Sequence, residues 1–567
     1  MRGVIALKQK SLECLNEWNS TFAKTGLWLL SISALLHFTI LFLMAEAIGF
    51  FNDKPALVGC FLFLSFLPFL YVIIKHRSTL WQPFVIAGSF LLILNLVMPV
   101  EHVLVHDSAN YHFPKILYQI SKGSLELFSG WTFHFTTIIS LQDNFSMLYY
   151  VVSPHPKSLV LANQFQFLFI NMFAIAVLNQ RENPSIRIVV YFLLILSITP
   201  FIAETVIMKP NVIAPSFWVI LIACLGIGGS SKSGPYLSVG MMAIACAFLI
   251  LTKATFFIAV LPFVVLLYIL MLLNLGSKQK RNMGYFLSLS LVGFTAAFLF
   301  LAPYGFRFLT YFHEVPFPKE ASSWAILPPN LSCGVYFWPQ QISFFVDSIS
   351  SHLEYTHSLR LTPDECWAGR DNRSYPEFWY GAYTGLSLLV LIPLLISFRE
   401  LYRLKFIFLF LLLVPVFHSM TYSNSIFNLR LISGVWVLVA ILVAFFANCR
   451  QFSYNYFVGI IISVTMFCGT VRATVNSLDH FYSSNSKELT RVSNQIQNPK
   501  GFIYVRTPTG RARWTTSFLL DEIYREKGRP KFEGLGTKTD RSEYVLECET
   551  DRSCRVRQLK QARPKKN

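Results

Sequence analysis

The amino-acid sequence predicts a polytopic α-helical membrane protein with about 13 transmembrane helices. Hydrophobic residues make up 54% of the 567 residues and charged residues only 14%, whereas an ordinary soluble domain carries about 25% charge. A helix needs about 20 apolar residues to cross the hydrocarbon core of a bilayer, and runs of that kind recur between Gly26 and Val471. Lys and Arg gather between the runs, as they do in the loops of membrane proteins.

Each apolar run is a predicted span. The approximate centres of the runs are Ser33, Leu64, Ile86, Phe169, Leu194, Val219, Ile244, Val264, Leu291, Val390, Leu411, Leu438 and Ile461. The first run follows a polar stretch and has no small-residue cleavage signature, so we expect it to be a retained span and not a signal peptide.

The connecting segments alternate in charge, and this alternation predicts the orientation. Basic residues fall on one side if every run crosses once, and they include Lys75, Arg77, Arg181, Arg187, Arg399 and Arg450. The positive-inside rule makes that side cytoplasmic. Two long segments, roughly 101–157 and 305–378, then lie outside together with the tail. We therefore predict a membrane domain over residues 1–472 and a small extracytoplasmic domain over residues 473–567.

The tail has the pattern of a small α/β domain. GFIYVRT (501–507) predicts a strand, SFLLDEIYREKG (517–528) predicts an amphipathic helix, and the basic end RPKKN predicts disorder. Cysteines occur in pairs in the outer segments, where an oxidising compartment favours bridges 333–366 and 548–554. Unpaired thiols are the alternative, because spacing alone does not establish pairing.

The net charge of +18 would suggest nucleic-acid binding in a soluble protein. Here the excess of Lys and Arg is explained by cytoplasmic loops, and no basic-aromatic nucleic-acid motif is present. The charge balance therefore argues against a nucleic-acid partner.

The stretch HDSANYHFPK (106–115) follows the third apolar run and combines polar groups of several chemistries. Pro114 is suited to the first turn of a helix, and Ile116, Leu117 and Ile120 repeat at the spacing of an amphipathic helix lying in the membrane interface. Asp107 then lies at the lipid–water boundary, where a carboxylate can act as a general base. The alternative is that Asp107 only marks the end of a helix.

A second group of residues carries a resemblance to a known family. DSANYHFPKI (107–116) resembles the D-x-x-x-Y-H-x-P signature in the first outer loop of bacterial GT-C-type membrane glycosyltransferases. VIMKPNVIAPSFWVILIA (206–223) and AFLILTKATFFIAVLPF (247–263) resemble further stretches of the same superfamily, which includes protein O-mannosyltransferases and lipid A aminoarabinose transferases. The resemblance covers roughly residues 100–310.

The resemblance implies a GT-C fold and transfer of a sugar from a polyprenyl-phosphate donor to a glycolipid, glycan or protein acceptor. It makes Asp107 the base or the ligand of a divalent metal, Mg or Mn. Lys209 and Lys253 would bind the donor phosphate, and Tyr111 and His112 would orient or contact the substrate.

Two further features complete the predicted site. The second carboxylate of the family is Asp143 or Glu204 in this chain. Arg370, in the second outer segment, is a candidate for gripping a phosphate in bidentate fashion. The resemblance implies a location in the inner membrane of a bacterial cell envelope, with the site on the extracytoplasmic face.

Two other functions fit a polytopic chain of this composition. A transporter or lipid flippase tends to show charged residues at mid-membrane and broken helices in repeated halves, whereas the apolar runs here are nearly free of charge. An O-antigen polymerase or ligase shares the substrate class but would lack the D-x-x-x-Y-H pattern.

Overall fold

The computed structural model describes part of the chain. The described residues are 26–97, 112–125, 140–197, 201, 205, 208, 213–227, 234–252, 283–314, 437–438, 440–441, 444–445, 491–496, 502–505, 516, 519–520, 523–524, 527, 531–533, 542–550 and 553–558.

Six helices among these residues are long and apolar enough to cross a membrane. They are Leu27–Glu46, Pro55–Lys75, Arg77–Leu96, Pro156–Leu178, Pro235–Thr252 and Leu287–Thr310. A mostly helical membrane protein, as the sequence predicts, is compatible with these helices. The spans predicted around Val264, Val390, Leu411 and Ile461 lie outside the described residues, so a total of 13 stays a prediction.

The described helices follow one another along the chain with short connections. They are α1 (Leu27–Glu46), α2 (Ile48–Phe51), α3 (Pro55–Lys75), α4 (Arg77–Val97), α5 (Phe113–Lys122), α6 (Leu141–Val152), a 3-10 helix (Pro156–Val160), α7 (Leu161–Leu178), α8 (Pro184–Ser197), α9 (Ile213–Ile227), α10 (Gly234–Thr252) and α11 (Met283–Glu314).

Aromatic side chains fill the space between the long helices. The Phe38 ring on α1 lies 5.5 Å from Phe165 on α7, 5.3 Å from Phe217 on α9 and 5.9 Å from Phe145 on α6, measured between ring centroids. Rings at these distances add edge-to-face and stacking attraction to the burial of apolar area. The packing therefore places α6 directly against the bundle.

One end of the bundle is formed by the turn between α1 and α3, and α5 lies against it. A side chain on Gly49 of α2 would place its Cβ 2.6 Å from the carbonyl oxygen of Gly123. Gly123 ends α5 in the left-handed conformation, with φ of 68°, which glycine adopts without steric cost. Asn52 adds a hydrogen bond of 3.2 Å to the Ile120 carbonyl. The two glycines thus allow α5 to lie close to the α1–α3 turn.

The basic turns lie at the other end of the bundle. His76, between α3 and α4, contacts the backbone of Gly26 before α1. Arg187, at the start of α8, is buried and donates to the carbonyl oxygens of Ala444 and Phe445 at 3.1 and 2.5 Å. The sequence analysis treated Arg187 only as a loop charge, whereas its guanidinium is a hydrogen-bond donor to a distant helical segment.

Two short helices, α5 and α6, belong to the first predicted outer segment. Helix α5 begins at Phe113 with Pro114 in its first turn, as the sequence predicts. Its expected polar side is not in solvent, because Lys115 and Gln119 are 6% and 3% exposed. Helix α6 and strand β2 (Lys531–Glu533) cover it.

The tail contains a four-stranded sheet formed by β1 (Phe502–Val505), β2, β3 (Ser542–Thr550) and β4 (Ser553–Gln558). The strand order is β2-β1-β3-β4, with β1 parallel to both β2 and β3 and with β3 antiparallel to β4. Described residues between β1 and β2 are helical and buried, among them Leu520 and Ile523. The strand and the helix expected from the tail sequence are both present.

The β3–β4 hairpin carries a disulfide. Cys548 and Cys554 are directly opposite each other in the antiparallel register and are bonded, as the cysteine count suggested. Cys333 and Cys366 lie outside the described residues. The tail sheet is therefore closed at its β4 side by a covalent cross-link.

Candidate functional site

The candidate site is built around Asp143 on α6. Its carboxylate oxygen Oδ1 lies 2.7 Å from Nδ1 of His112, and Oδ2 lies 3.2 Å from the ammonium group of Lys115. The ring N–H of His112 does not point along the Nδ1–Oδ1 line, so this contact is an ion pair and not a straight hydrogen bond. One carboxylate thus lies between two nitrogen groups of α5.

Local structure explains how these side chains meet. Ser140 caps α6, and its hydroxyl accepts a hydrogen bond of 3.3 Å from the Asp143 backbone N–H, which is the usual device for starting a helix. Asp143 also lies in the first turn of α6, where a negative charge is favoured by the helix dipole. His112 and Lys115 are three residues apart, so they share one face of α5. We name these three residues the Asp143 cluster.

The Asp143 cluster is buried. The exposed fractions of the side chains are 2% for His112, 8% for Lys115 and 1% for Asp143. Burial alone would raise the pKa of Asp143, but the positive charges of His112 and Lys115 outweigh it, and the pKa is lowered. The carboxylate is therefore ionised at neutral pH and balances the cations inside the protein.

Polar contacts continue from Asp143 towards α11. The amide of Asn144, the next residue on α6, donates to the hydroxyl of Tyr304. The Tyr304 ring lies 4.3 Å from the guanidinium carbon of Arg307. Arg307 binds both carboxylate oxygens of Glu46 at the end of α1, at 2.5 and 2.8 Å. This bidentate geometry is the strong form of an Arg–carboxylate pair.

The tail domain contacts the same two helices. The Tyr150 ring on α6 lies 5.4 Å from Phe113 on α5 and 5.4 Å from Tyr524 in the tail. Tyr150 and Phe113 are fully buried, and Tyr524 is 3% exposed. Because Phe113 directly follows His112, these aromatic contacts link the tail to the Asp143 cluster. The first outer segment and the tail, which the sequence places on one side, are in contact here.

The structure brings together two of the predicted site residues. His112, predicted to contact substrate, and Asp143, predicted as a possible second carboxylate, are 2.7 Å apart. The remaining predicted residues lie outside the described part of the chain. They are Asp107, Tyr111, Lys209, Lys253, Glu204 and Arg370.

The surroundings of Asp143 do not fit a metal ion. Lys115 faces one oxygen and His112 the other, so a divalent cation would meet the ammonium group of Lys115 at the carboxylate. Within the described residues no group of three or more His, Cys, Asp or Glu side chains could hold a metal ion. Asp143 is thus an internal counter-ion, and a metal-ligand role for Asp107 stays a prediction.

Sequence reasoning missed Lys115, Asn144 and the Glu46–Arg307 pair. Two signals in the sequence were available. Ser140 and Asp143 have the S-x-x-D spacing of a helix start, which would have placed a carboxylate at the head of a second helix in the outer segment. Arg307 follows an apolar run directly, and a cation in such a position requires a partner.

The chain matches no family model, no curated protein and no solved structure with which it was compared.

Proposed function

We propose that the protein is an integral membrane glycosyltransferase that moves a sugar from a polyprenyl-phosphate donor to a glycolipid, glycan or protein acceptor. The observation that carries the proposal is the Asp143 cluster. The motif DSANYHFPK enters it directly through His112 and Lys115. The cluster lies beside the α1–α3 turn, at one end of a bundle with few charged side chains among its described residues.

The chemistry of the proposal is set by the donor. A lipid-linked donor keeps its polyprenyl tail in the bilayer and its phosphate near the headgroups, which is where residues at the end of a span can reach it. Transfer requires a proton acceptor for the attacking hydroxyl and positive charge for the departing phosphate. Asp107, as base or metal ligand, and Lys209 and Lys253, as phosphate contacts, are the residues proposed for these roles.

The proposed location is the inner membrane of a bacterial cell envelope, with the site outside the cytoplasm. The basic turns that contain Lys75, Arg77 and Arg181 are at the end of the helices opposite to α5 and α6. The positive-inside rule then assigns the end with the Asp143 cluster to the extracytoplasmic side.

The test is turnover by purified protein in lipid, measured with a panel of labelled polyprenyl-phosphate sugars and crude envelope acceptors. Wild-type protein should release polyprenyl phosphate, and Asp107→Asn should lose nearly all turnover while keeping the wild-type melting temperature. Asp53→Asn is the matched control, because Asp53 is an exposed carboxylate in the α2–α3 turn. Full turnover by Asp107→Asn would refute its role, and inactivity of the wild type with every donor would refute the function.

A further inference from the structure

The contact between His112 and Asp143 determines which ring nitrogen carries the proton. Asp143 is ionised, because His112 and Lys115 lower its pKa against the effect of burial. Nδ1 of His112 lies 2.7 Å from the charged oxygen, where two facing lone pairs would repel each other. Nδ1 therefore bears hydrogen, and in the neutral imidazole the lone pair is on Nε2.

Asp143 itself is a poor proton acceptor for a substrate. Its two oxygens face His112 and Lys115, and its side chain is 1% exposed. Its negative charge nevertheless stabilises positive charge on the imidazole ring, and the effect is strong because the surroundings exclude water. The basic group of this pair is thus the imidazole, and the carboxylate acts through it.

From this geometry we infer that His112 accepts the proton of the acceptor hydroxyl and that Asp143 is the positioning residue that orients the His112 ring. The inference rests on the proposed glycosyl transfer. As the acceptor oxygen bonds to the anomeric carbon, the bond from that carbon to the phosphate oxygen breaks, and its electron pair stays on the phosphate. The hydroxyl proton moves to Nε2 of His112, and Asp143 balances the imidazolium that forms.

The position of His112 in the fold suits this role. It precedes α5 immediately, so its backbone is held by the helix, and the Phe113 ring beside it is anchored on Tyr150. His112 is 1% exposed, so the acceptor hydroxyl has to enter the protein interior to reach it. A base in such a site acts away from bulk water, which competes for the proton and for the sugar.

The first test is the pH dependence of kcat/KM in the full-length protein. Wild-type activity should fall on the acid side at an inflection between pH 5 and 8, the interval in which imidazoles titrate. His112→Gln should remove this inflection and lower kcat/KM on the order of 10²- to 10⁴-fold, with the donor KM little changed. His155→Gln is the matched control, since His155 is an exposed histidine before the 3-10 helix. An acid limb near pH 4 that persists in His112→Gln would assign the proton to a carboxylate and overturn the inference.

The role of Asp143 needs a variant that still folds. Asp143→Asn leaves Lys115 without its counter-ion, so Asp143→Asn/Lys115→Met is used as well. Both variants should lose kcat, because an asparagine amide does not select the Nδ1–H tautomer. Wild-type kcat and an unchanged pH profile in the double variant would overturn the positioning role of Asp143.

A second measurement does not depend on turnover. Solid-state ¹⁵N spectra of histidine-labelled protein, with His112 assigned by the signals missing in His112→Gln, should show a protonated Nδ1 and an unprotonated Nε2 near pH 8. A protonated Nε2 in the neutral ring would overturn the inference. If the wild type turned over no lipid-linked sugar, the proposed function and the transfer step would fail, and the spectra would still decide whether Asp143 sets the tautomer of His112.

Discussion

Removing the charge of Asp143 should strongly destabilise the protein, and removing its partner as well should restore most of the stability. In Asp143→Asn the Lys115 ammonium stays in a site where its side chain is 8% exposed and loses the carboxylate oxygen 3.2 Å away. Leaving one member of a buried ion pair uncompensated costs about 3–5 kcal/mol. We expect a loss of this size in the free energy of unfolding.

In Asp143→Asn/Lys115→Met the uncompensated cation is absent. A methionine side chain has a similar length, adapts to irregular space and needs no counter-ion. The double variant should therefore recover most of the loss, with an interaction energy on the order of 2–3 kcal/mol between the two sites. The assay is unfolding in mixed micelles by titration with a denaturing detergent, followed by tryptophan fluorescence, for wild type, both single variants and the double variant.

Lys122→Met controls for the loss of a lysine from the same helix, because Lys122 is exposed at the end of α5. It should change the free energy of unfolding by less than about 0.5 kcal/mol. The reasoning fails if the double variant is as unstable as Asp143→Asn, since the two losses would then be independent of the ion pair.

Three other outcomes are expected. Because the pKa of Asp143 is lower in the folded than in the unfolded protein, its stabilising contribution should be complete above the ordinary carboxyl range near pH 4 and should disappear as the pH falls through the lower folded value; unfolding curves of Asp143→Asn should lack this acid-side loss. Gly49→Ala should destabilise by about 1–3 kcal/mol, since its Cβ would lie 2.6 Å from the Gly123 carbonyl oxygen, whereas Gly88→Ala, with nothing within 4 Å, should not; thermal unfolding in detergent distinguishes the two. A tag at Asn567 should react with a membrane-impermeant reagent added to spheroplasts, and a protected tag would contradict the predicted orientation.

The parts of the fold that depend on nearby residues were predictable. The apolar runs centred on Ser33, Leu64 and Ile86 became α1, α3 and α4, because a helix in lipid must bury its backbone hydrogen bonds within one continuous segment. Pro114 indicated the start of α5 through its fixed φ and missing N–H. Cys548 and Cys554 are six residues apart, so one hairpin suffices to pair them.

The amphipathic pattern of α5 was read correctly as a helix but not as an environment. Ile116 and Ile120 are buried as expected, yet Lys115 is buried as well. A helical period shows which residues share a face, and it does not show that a second surface, here α6 and β2, covers the opposite face. The candidate site was therefore only half visible, with His112 and Asp143 predicted in separate roles.

By itself the sequence determined the class of the protein, because hydropathy, loop charge and helix starts are properties of short segments that act wherever those segments lie. Tertiary packing alone decided which charges meet. Asp143 is 28 residues from Lys115, and Glu46 is 261 residues from Arg307. A lysine or an arginine can pair with any carboxylate that the packing of the helices brings within reach, so the choice of partner is made by the three-dimensional arrangement and not by any local pattern.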